Sequence, residues 1–286
     1  MKFVSFIVDN EPSYGLAVEE GIVDLRPAFG HRATDLKALI AAGLLQEAAR
    51  ARAAGVLRQP GEVRLLPVIP NPGKIVCAGL NYADHVRETG RQVTEDPVLF
   101  LRVPESQAAH GEDIVLPPES GKLDYEGEIA VILGKGGRRI AEDAAWDHIA
   151  GYACYNDGSL RDWQTSTSQW TAGKNFWRTG AFGPWMVTAD EIPPDRRMTL
   201  TTRLNGVEMQ RATSDMLIHG IPRLIAYIST FMPLEPGDVI VTGTPGGVGM
   251  KRTPPVFMKA GDVVEVEVDA IGVLRNGVGR ELEADE

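Results

Sequence analysis

Residues 124–134 read DYEGEIAVILG, and this stretch predicts a strand that carries two carboxylates to the edge of the protein core. Side chains of a strand alternate between its two faces, so Glu126 and Glu128 point the same way. The next residues, 129–133, are continuously apolar, which indicates that the strand enters a core. Two carboxylates at the mouth of a buried strand repel each other, and a cation removes that cost. An exposed strand with a Glu-x-Glu face is the alternative, and this segment alone does not exclude it.

Asp157 adds a third carboxylate to this pair. It ends a second apolar segment, 151–157 (GYACYND), just before a predicted helix at 159–164. All-oxygen coordination with positions left open for water and substrate suits Mg2+ or Mn2+. Zinc favours His or Cys ligands, and no His pair in the sequence has a metal-ligand spacing. Spacing does not itself bring Asp157 to the two glutamates, because that depends on the fold.

From residue 75 onward the chain is rich in short apolar runs that predict strands. Helices are predicted at 83–89, 142–150 and 214–231, with Pro222 dividing the last one. Asn205 and Gly206 between apolar flanks predict a two-residue hairpin. Many strands with few crossover helices favour a β-rich α+β fold with a mixed, mostly antiparallel sheet. The predicted strands lie at 75–78, 98–103, 113–116, 125–133, 152–155, 185–187, 200–207, 239–241 and 263–274.

The first 68 residues have a different pattern. Apolar runs at 3–8, 14–18 and 21–25 predict strands, and the Ala- and Leu-rich segment 34–53 predicts a helix that Gly43 interrupts. Residues 67–74 (PVIPNPGK) then place three prolines and a glycine in one connector. We therefore predict a small N-terminal α+β domain, residues 1–68, and a metal-dependent catalytic domain, residues 69–286.

Composition limits the partners of the chain. Its 286 residues carry a formal net charge of -10, so it lacks the clustered cations that nucleic acid requires, and an anionic substrate needs a local cation. Cys77 and Cys154 lie in apolar runs and are expected to be buried free thiols. No stretch has the pattern of a secretory signal or a membrane helix, so no membrane partner and a cytoplasmic location are expected.

Several segments together resemble the fumarylacetoacetate hydrolase family. This resemblance implies a mixed β-roll or β-sandwich catalytic domain, a homodimer, and a metal held by Glu126, Glu128 and Asp157. The segments occur in the family's order and are 79–88 (GLNYADHVRE), 124–134, 156–164 (NDGSLRDWQ), 173–176 (GKNF), 183–185 (GPW) and 236–249 (PGDVIVTGTPGGVG).

The resemblance also implies roles for groups around the metal. His85 and Glu88 are three residues apart and share a helix face, which is either a chance surface pair or a water-activating pair; the resemblance favours the second. Lys174 is a solvated lysine in the usual case, but its match to the family implies a cation that stabilises an enolate. The predicted catalytic residues are therefore His85, Glu88 and Lys174.

Substrate contacts are expected from Tyr82, Arg161, Gln164 and Thr244. Thr244 lies in the glycine-rich segment 242–249, which lacks the Gly-Lys-Ser/Thr of a phosphate loop. We expect this loop to face a substrate carboxylate.

The sequence also departs from the family pattern. Leu160 replaces a small residue, and Arg102 stands where lysine is common. Trp170 and Trp177 flank Lys174 and either line the distal pocket or pack in the core. These departures bear on the identity of the substrate more than on the chemistry.

The candidate metal ligands and base, taken with the family resemblance, predict a divalent-metal-dependent hydrolase. The resemblance implies that it would cleave a carbon–carbon bond in a 1,3-diketo acid of the acylpyruvate or fumarylpyruvate type, in catabolism of aromatic or related compounds. The alternative is a 2-oxo acid decarboxylase, hydratase or tautomerase of the same family. A silent ligand-binding protein is a third reading, and the intact set of metal ligands and base argues against it.

Overall fold

The computed structural model of this protein describes residues 1–281, so the last five residues of the predicted catalytic domain, 282–286, lie outside the described residues. Strands outweigh helices, which confirms the predicted β-rich α+β class. The strands are β1 Lys2–Val8, β2 Glu11–Val18, β3 Gly21–Asp24, β4 Val56–Arg58, β5 Arg64–Leu65, β6 Ile75–Gly79, β7 Val98–Arg102, β8 Gln107–Ala108, β9 Ile114–Leu116, β10 Leu123–Asp124, β11 Gly127–Leu133, β12 Ile149–Asn156, β13 Ser159–Leu160, β14 Gly180–Thr188, β15 Thr199–Leu204, β16 Val207–Thr213, β17 Val239–Val241, β18 Val263–Val268 and β19 Gly272–Arg280.

The α-helices are short, and the longest has 11 residues. They are α1 Arg26–Phe29, α2 Leu36–Ala41, α3 Leu45–Arg50, α4 Ala83–Thr89, α5 Arg161–Gln164, α6 Thr171–Lys174 and α7 Ile221–Phe231. Single turns of 3-10 helix lie at Arg52–Ala54, Pro60–Glu62, Pro104–Ser106, Ala189–Glu191, Ser214–Met216 and Gly249–Lys251, and a longer one lies at Glu142–His148. None of the described helices is both long and apolar enough to cross a membrane.

Twelve strands form one mixed sheet. Its main path runs β4-β3-β2-β1-β14-β12-β11-β17-β6-β7, with β5 paired to β1 and β8 paired to β14. Neighbours in this sheet are antiparallel except for the pairs β6–β17 and β8–β14. A smaller sheet has the order β16-β15-β18-β19-β9, and β10 pairs with β13 separately. The observed pairing is therefore mostly antiparallel, as the sequence predicts.

β11 lies inside the main sheet and is buried on both of its faces. Ile129 and Val131 share a core with Val266 of the smaller sheet, whereas Ala130 and Ile132 belong to the core on the other side. A strand covered on both faces needs apolar side chains at every position, which explains the continuous apolar run at 129–133. The two sheets and the core between them hold the start of β11 in place.

The N-terminal segment extends the main sheet. β1 pairs antiparallel with β14, so the sheet continues from one predicted domain into the other. Phe3, Leu36 and Leu39 pack in the same core as Ala130 and Ile132, which places the N-terminal helices over the second face of the sheet. The boundary at residues 68 and 69 stays a prediction.

Some predicted elements differ from the structure in type or bounds. The predicted helix 142–150 is a 3-10 helix that ends at His148, because Ile149 and Ala150 already belong to β12. The predicted strand 263–274 is two strands, since residues 269–271 form the turn between β18 and β19. The predicted interruption of segment 34–53 at Gly43 is present, since α2 and α3 lie on either side of this residue, whose φ of 68° lies in the left-handed region that favours glycine.

Other local predictions agree with the structure. Asn205 and Gly206 both have positive φ and join β15 to β16, as a two-residue hairpin turn requires. The exception is Pro222, for which the prediction is wrong: it lies in the first turn of α7, where its missing N–H costs nothing, and so it begins this helix instead of dividing one. Cys77 and Cys154 are buried free thiols.

Candidate metal centre

Three carboxylates meet where β11 begins and β12 ends. The two strands are antiparallel, and the backbone N–H of Asp157 donates to the carbonyl oxygen of Glu126 at 2.8 Å. One carboxylate oxygen from each of Glu126, Glu128 and Asp157 lies within 4.8 Å of the other two, and all three residues are buried. The pairing of β11 with β12 therefore brings Asp157 close to the two glutamates, which residue spacing alone does not predict.

Cations surround two of these carboxylates. Lys174 Nζ lies 2.7 Å from Glu126 Oε2 and 2.5 Å from Asp157 Oδ2. Arg161 Nη1 lies 2.7 Å from Glu126 Oε1, and Arg102 Nη1 lies 2.5 Å from Asp157 Oδ1. Burial raises the pKa of Glu126, but Arg161 and Lys174 outweigh it and hold this pKa well below its usual value. Glu126 is therefore ionised.

Glu128 has no such neighbour. Its Oε2 accepts a hydrogen bond of 2.5 Å from the backbone N–H of Gly243, and in residues 1–281 no Lys or Arg forms an ion pair with it. Burial raises the pKa of Glu128 well above its usual value, and the charges of Asp157 and Glu126 raise it further. Glu128 is therefore the carboxylate of the cluster whose ionised form the surrounding cations compensate least.

The donor set and the charge of the cluster both fit a hard divalent cation. Four buried carboxylates face three buried cations, which leaves one negative charge uncompensated, and a divalent ion changes this to one positive charge. Oxygen ligands without Cys or His are those that Mg2+ and Mn2+ prefer. The carboxylates are Asp124, Glu126, Glu128 and Asp157, and the cations are Arg102, Arg161 and Lys174.

Lys174 is charged in spite of its burial. Desolvation alone lowers its pKa, but the carboxylates of Asp157 and Glu126 outweigh that effect and raise it above the usual value. A lysine with a raised pKa keeps its proton at neutral pH, so Lys174 can stabilise negative charge but is not suited to exchange protons.

His85 and Glu88 form the predicted pair on α4. His85 Nδ1 lies 2.8 Å from Glu88 Oε1, and the backbone N–H of Gly247 donates to Glu88 Oε2 at 2.9 Å. A carboxylate at Nδ1 holds the proton there and leaves the lone pair on Nε2, which makes that nitrogen a base. The bond to Gly247 ties α4 to the glycine-rich loop.

A cavity of about 130 Å³ connects the pair to the carboxylates. His85, Glu126, Glu128 and Lys174 line it, and so do the predicted substrate contacts Arg161, Gln164 and Thr244. Its remaining lining residues are Ala78, Gly79, Leu80, Thr89, Arg91, Phe100, Thr165, Trp170, Met250 and Lys251.

The predicted substrate contacts differ in what they offer the cavity. Gln164 Oε1 accepts from Arg161 at 2.8 Å, so its amide N–H groups are left for a ligand. Thr244 Oγ1 donates to a backbone carbonyl at 3.0 Å and accepts from Gln210 at 2.8 Å. Tyr82 is fully buried and does not line the cavity, because its ring packs at the start of α4. Its role in binding substrate stays a prediction that this geometry does not favour.

The two tryptophans that flank Lys174 have different positions. Trp170 lines the cavity, whereas Trp177 is 53% exposed and lies away from it. Sequence reasoning did not identify Arg91, Phe100 or Lys251 as cavity residues. An exposed cation or a strand aromatic carries no local signal of that kind, because the fold alone brings them to the site.

Comparison with known proteins shows the family. Residues 74–279 match the model of the fumarylacetoacetate hydrolase C-terminal domain. "Oxaloacetate tautomerase FAHD2A, mitochondrial" from Bos taurus is 41% identical over 207 residues, which are 72% of this chain and 66% of that protein. The match thus spans just under two thirds of this relative's own length.

Solved structures extend the likeness to nearly the whole chain. Fumarylacetoacetate hydrolase from Exiguobacterium antarcticum is 33% identical with a TM-score of 0.87, over 98% of this chain and all of that one. Maleylpyruvate hydrolase from Sphingobium sp. SYK-6, solved with manganese(II) and pyruvate, is 27% identical with a TM-score of 0.81, over 99% of this chain and all of that one. The chain belongs to the fumarylacetoacetate hydrolase family.

Proposed function

We propose that this protein catalyses the metal-dependent enolisation of a small 2-oxo acid, with the keto–enol interconversion of an oxaloacetate-like acid as its reaction. The observation that carries the proposal is the position of His85, which is paired with Glu88 and lines the same small cavity as Glu126, Glu128 and Lys174. A base, a fixed cation and a metal centre in one cavity are what proton removal next to a carbonyl requires.

Glu126, Glu128 and Asp157 are the residues that would hold the metal ion, which we expect to be Mg2+ or Mn2+. When bound, such an ion polarises the carbonyl of a 2-oxo acid and stabilises the negative charge of its enolate form. The three cations packed around the carboxylates fix their orientation before any ligand arrives.

The side chains of the chain itself would move the proton. His85 Nε2 takes a proton from the carbon next to the substrate carbonyl, and Glu88 stabilises the imidazolium that forms. Lys174 lies against the cluster and stabilises the negative charge that develops on the substrate oxygen. Return of the proton to oxygen gives the enol, and its return to carbon regenerates the keto form.

The size of the cavity supports a small substrate. A volume of about 130 Å³ lies below the roughly 300–1,000 Å³ usual for ligand pockets, which favours a short acid. The tautomerase name of the relative from Bos taurus points the same way.

Hydrolysis of an acylpyruvate, as expected from the sequence, is the second candidate. The His85–Glu88 pair favours it, because the same imidazole can activate a water for attack on the distal carbonyl. The two reactions differ in their products, since hydrolysis releases pyruvate and a second acid whereas tautomerisation releases nothing.

A substrate panel tests the proposal. The purified protein is supplied with Mg2+, with Mn2+ or with a chelator, and is given oxaloacetate and two acylpyruvates. Enol absorbance reports tautomerisation, and mass spectrometry reports pyruvate from hydrolysis or decarboxylation. We expect metal-dependent exchange between keto and enol forms of oxaloacetate without loss of substrate. Metal-dependent cleavage of an acylpyruvate, with no acceleration of the exchange, would replace this proposal by the second candidate.

A further inference from the structure

One part of the cavity wall is built from two aromatic rings that lead away from the carboxylate cluster. The ring of Phe100 lies 4.8 Å from Lys174 Nζ, and its centroid lies 5.5 Å from that of Trp170, with the two rings nearly perpendicular. A Cβ atom on Gly79 would lie 2.4 Å from Trp170 Cζ3, so the missing side chain at this position makes room for the indole. The indole is thus held in place as a wall of the cavity.

Arg91 lies against this indole. Its guanidinium carbon is 5.4 Å from the centroid of the Trp170 ring, within the range of a cation–π contact, and the residue lines the cavity. Arg102, Arg161 and Lys174 each form ion pairs with buried carboxylates. By contrast, among residues 1–281 no carboxylate forms an ion pair with Arg91. Its N–H donors remain available to a ligand in the cavity.

Lys251 is the other cation of the cavity lining without an ion pair among the described residues. The two cations differ in how they are held. The flat guanidinium of Arg91 rests on an aromatic surface, and its paired N–H groups match the two oxygens of a carboxylate. An ammonium on a flexible stem provides a point charge without that geometry.

We propose that Arg91, positioned by Trp170, binds a second carboxylate of the substrate, so that the site selects short 2-oxo dicarboxylates over 2-oxo monocarboxylates. This inference rests on the proposed function, because the 2-oxo acid end is taken to occupy the metal centre. Arg91 and the indole of Trp170 line the same cavity as Glu126 and Glu128, so a diacid that spans both sites is expected to be short.

Equilibrium binding tests the inference without turnover. The Mn2+-loaded protein is titrated with 2-oxoglutarate and with 2-oxopentanoate, which has the same chain length but a methyl group in place of the second carboxylate. We expect the unmodified protein to bind the diacid at least tenfold more tightly. Arg91→Gln should weaken diacid binding by roughly tenfold to a hundredfold, the range of one lost charged hydrogen bond, and leave monoacid binding within about twofold. Arg91→Lys should fall between the two.

Arg87→Gln is the matched control, because it also removes one positive charge from an exposed arginine, but Arg87 does not line the cavity. It should preserve the preference for the diacid. A preference that survives Arg91→Gln, or one that disappears in Lys251→Gln instead, overturns the assignment to Arg91. An unmodified protein without any preference overturns the second-carboxylate site itself.

The same protein samples separate this inference from the proposed function. Diacid preference without any acceleration of oxaloacetate tautomerisation would leave the subsite standing and refute the proposed reaction. If the protein accelerates tautomerisation but Arg91→Gln leaves diacid binding unchanged, the proposed reaction stands and the subsite at Arg91 is refuted.

Discussion

Arg102 and Asp157 form an ion pair that is fully enclosed, with Arg102 Nη1 2.5 Å from Asp157 Oδ1 and neither side chain exposed. The other two guanidinium nitrogens donate to Ser106 and Thr179, so all three nitrogens of Arg102 have hydrogen-bond partners. A Cβ atom on Gly180 would lie 2.8 Å from the guanidinium carbon, which shows how closely the backbone packs against it. Asp157 therefore has one oxygen fixed by Arg102 and the other turned toward the cluster.

Loss of this pair should lower the stability of the protein. Arg102→Met leaves a buried carboxylate without its partner, and we expect the free energy of unfolding to fall by about 3–5 kcal/mol. Arg102→Lys keeps the positive charge but loses the planar set of N–H donors, so it should lower the free energy of unfolding by less. Chemical denaturation in the presence of a chelator measures both changes. Arg64→Met, which removes an exposed pair with Glu112, should change the free energy by less than about 1 kcal/mol.

Glu88→Gln tests the base without disturbing the metal centre. The amide cannot hold imidazolium charge at His85, so the metal-dependent rate should fall by about 10²- to 10⁴-fold. Its oxygen can still accept the N–H of Gly247, so α4 should stay in place. Steady-state rates with oxaloacetate, together with Mn2+ titration, measure the two effects. A variant with unchanged rate refutes the role of the pair, and one that loses Mn2+ binding shows that Glu88 acts on the metal centre instead.

The sequence predicts the parts of the site that depend on local pattern. The face shared by Glu126 and Glu128 follows from strand alternation, and the pair on α4 follows from helix spacing. The meeting of Asp157 with the glutamates depends on the pairing of β11 with β12, which residue spacing does not specify.

One cation of the site, Arg102, is not predicted by local pattern. Its ion-pair partner Asp157 lies 55 residues away along the chain. The continuity of the main sheet through β1 was also not expected, since a proline-rich connector looks the same whether or not the flanking segments share a sheet. Long-range pairing decides both features.

His110 should give the protein a pH dependence separate from its chemistry. The backbone N–H of Arg275 donates to His110 Nδ1 at 3.1 Å, so that nitrogen must stay unprotonated. Burial lowers the pKa of His110, and the charge of Arg275 lowers it further. The folded state therefore binds fewer protons than the unfolded state, whose histidine titrates near pH 6.5. This contribution to stability is present above about pH 6.5 and is lost as the pH falls through the lower pKa of the folded protein.

Comparison of the native protein with His110→Gln isolates the pH-dependent contribution of His110 to stability. Denaturation midpoints measured between about pH 5 and 8 should converge as the pH falls, because the variant has no imidazole to charge. A constant difference between the two proteins over this range would contradict the assignment.

Trp170 should limit the length of the ligand. Trp170→Leu removes the indole wall next to Gly79, so a six-carbon 2-oxo diacid should bind relatively better and 2-oxoglutarate relatively worse. Calorimetric titration of both diacids gives the ratio of their dissociation constants. Trp177→Leu is the control, because Trp177 is exposed and lies outside the cavity lining. An unchanged ratio in Trp170→Leu would show that the indole does not limit length.

Titration of the metal-free protein with Mn2+ tests the carboxylate cluster most directly. We expect one ion per chain, and no binding at the same concentrations in Glu128→Gln, which keeps the shape of the side chain but removes a carboxylate that has no ion-pair partner among the described residues. Glu142→Gln, at an exposed 3-10 helix, should bind as the native protein does. Binding of Mn2+ by Glu128→Gln with native affinity would contradict the assignment of the metal to Glu126, Glu128 and Asp157.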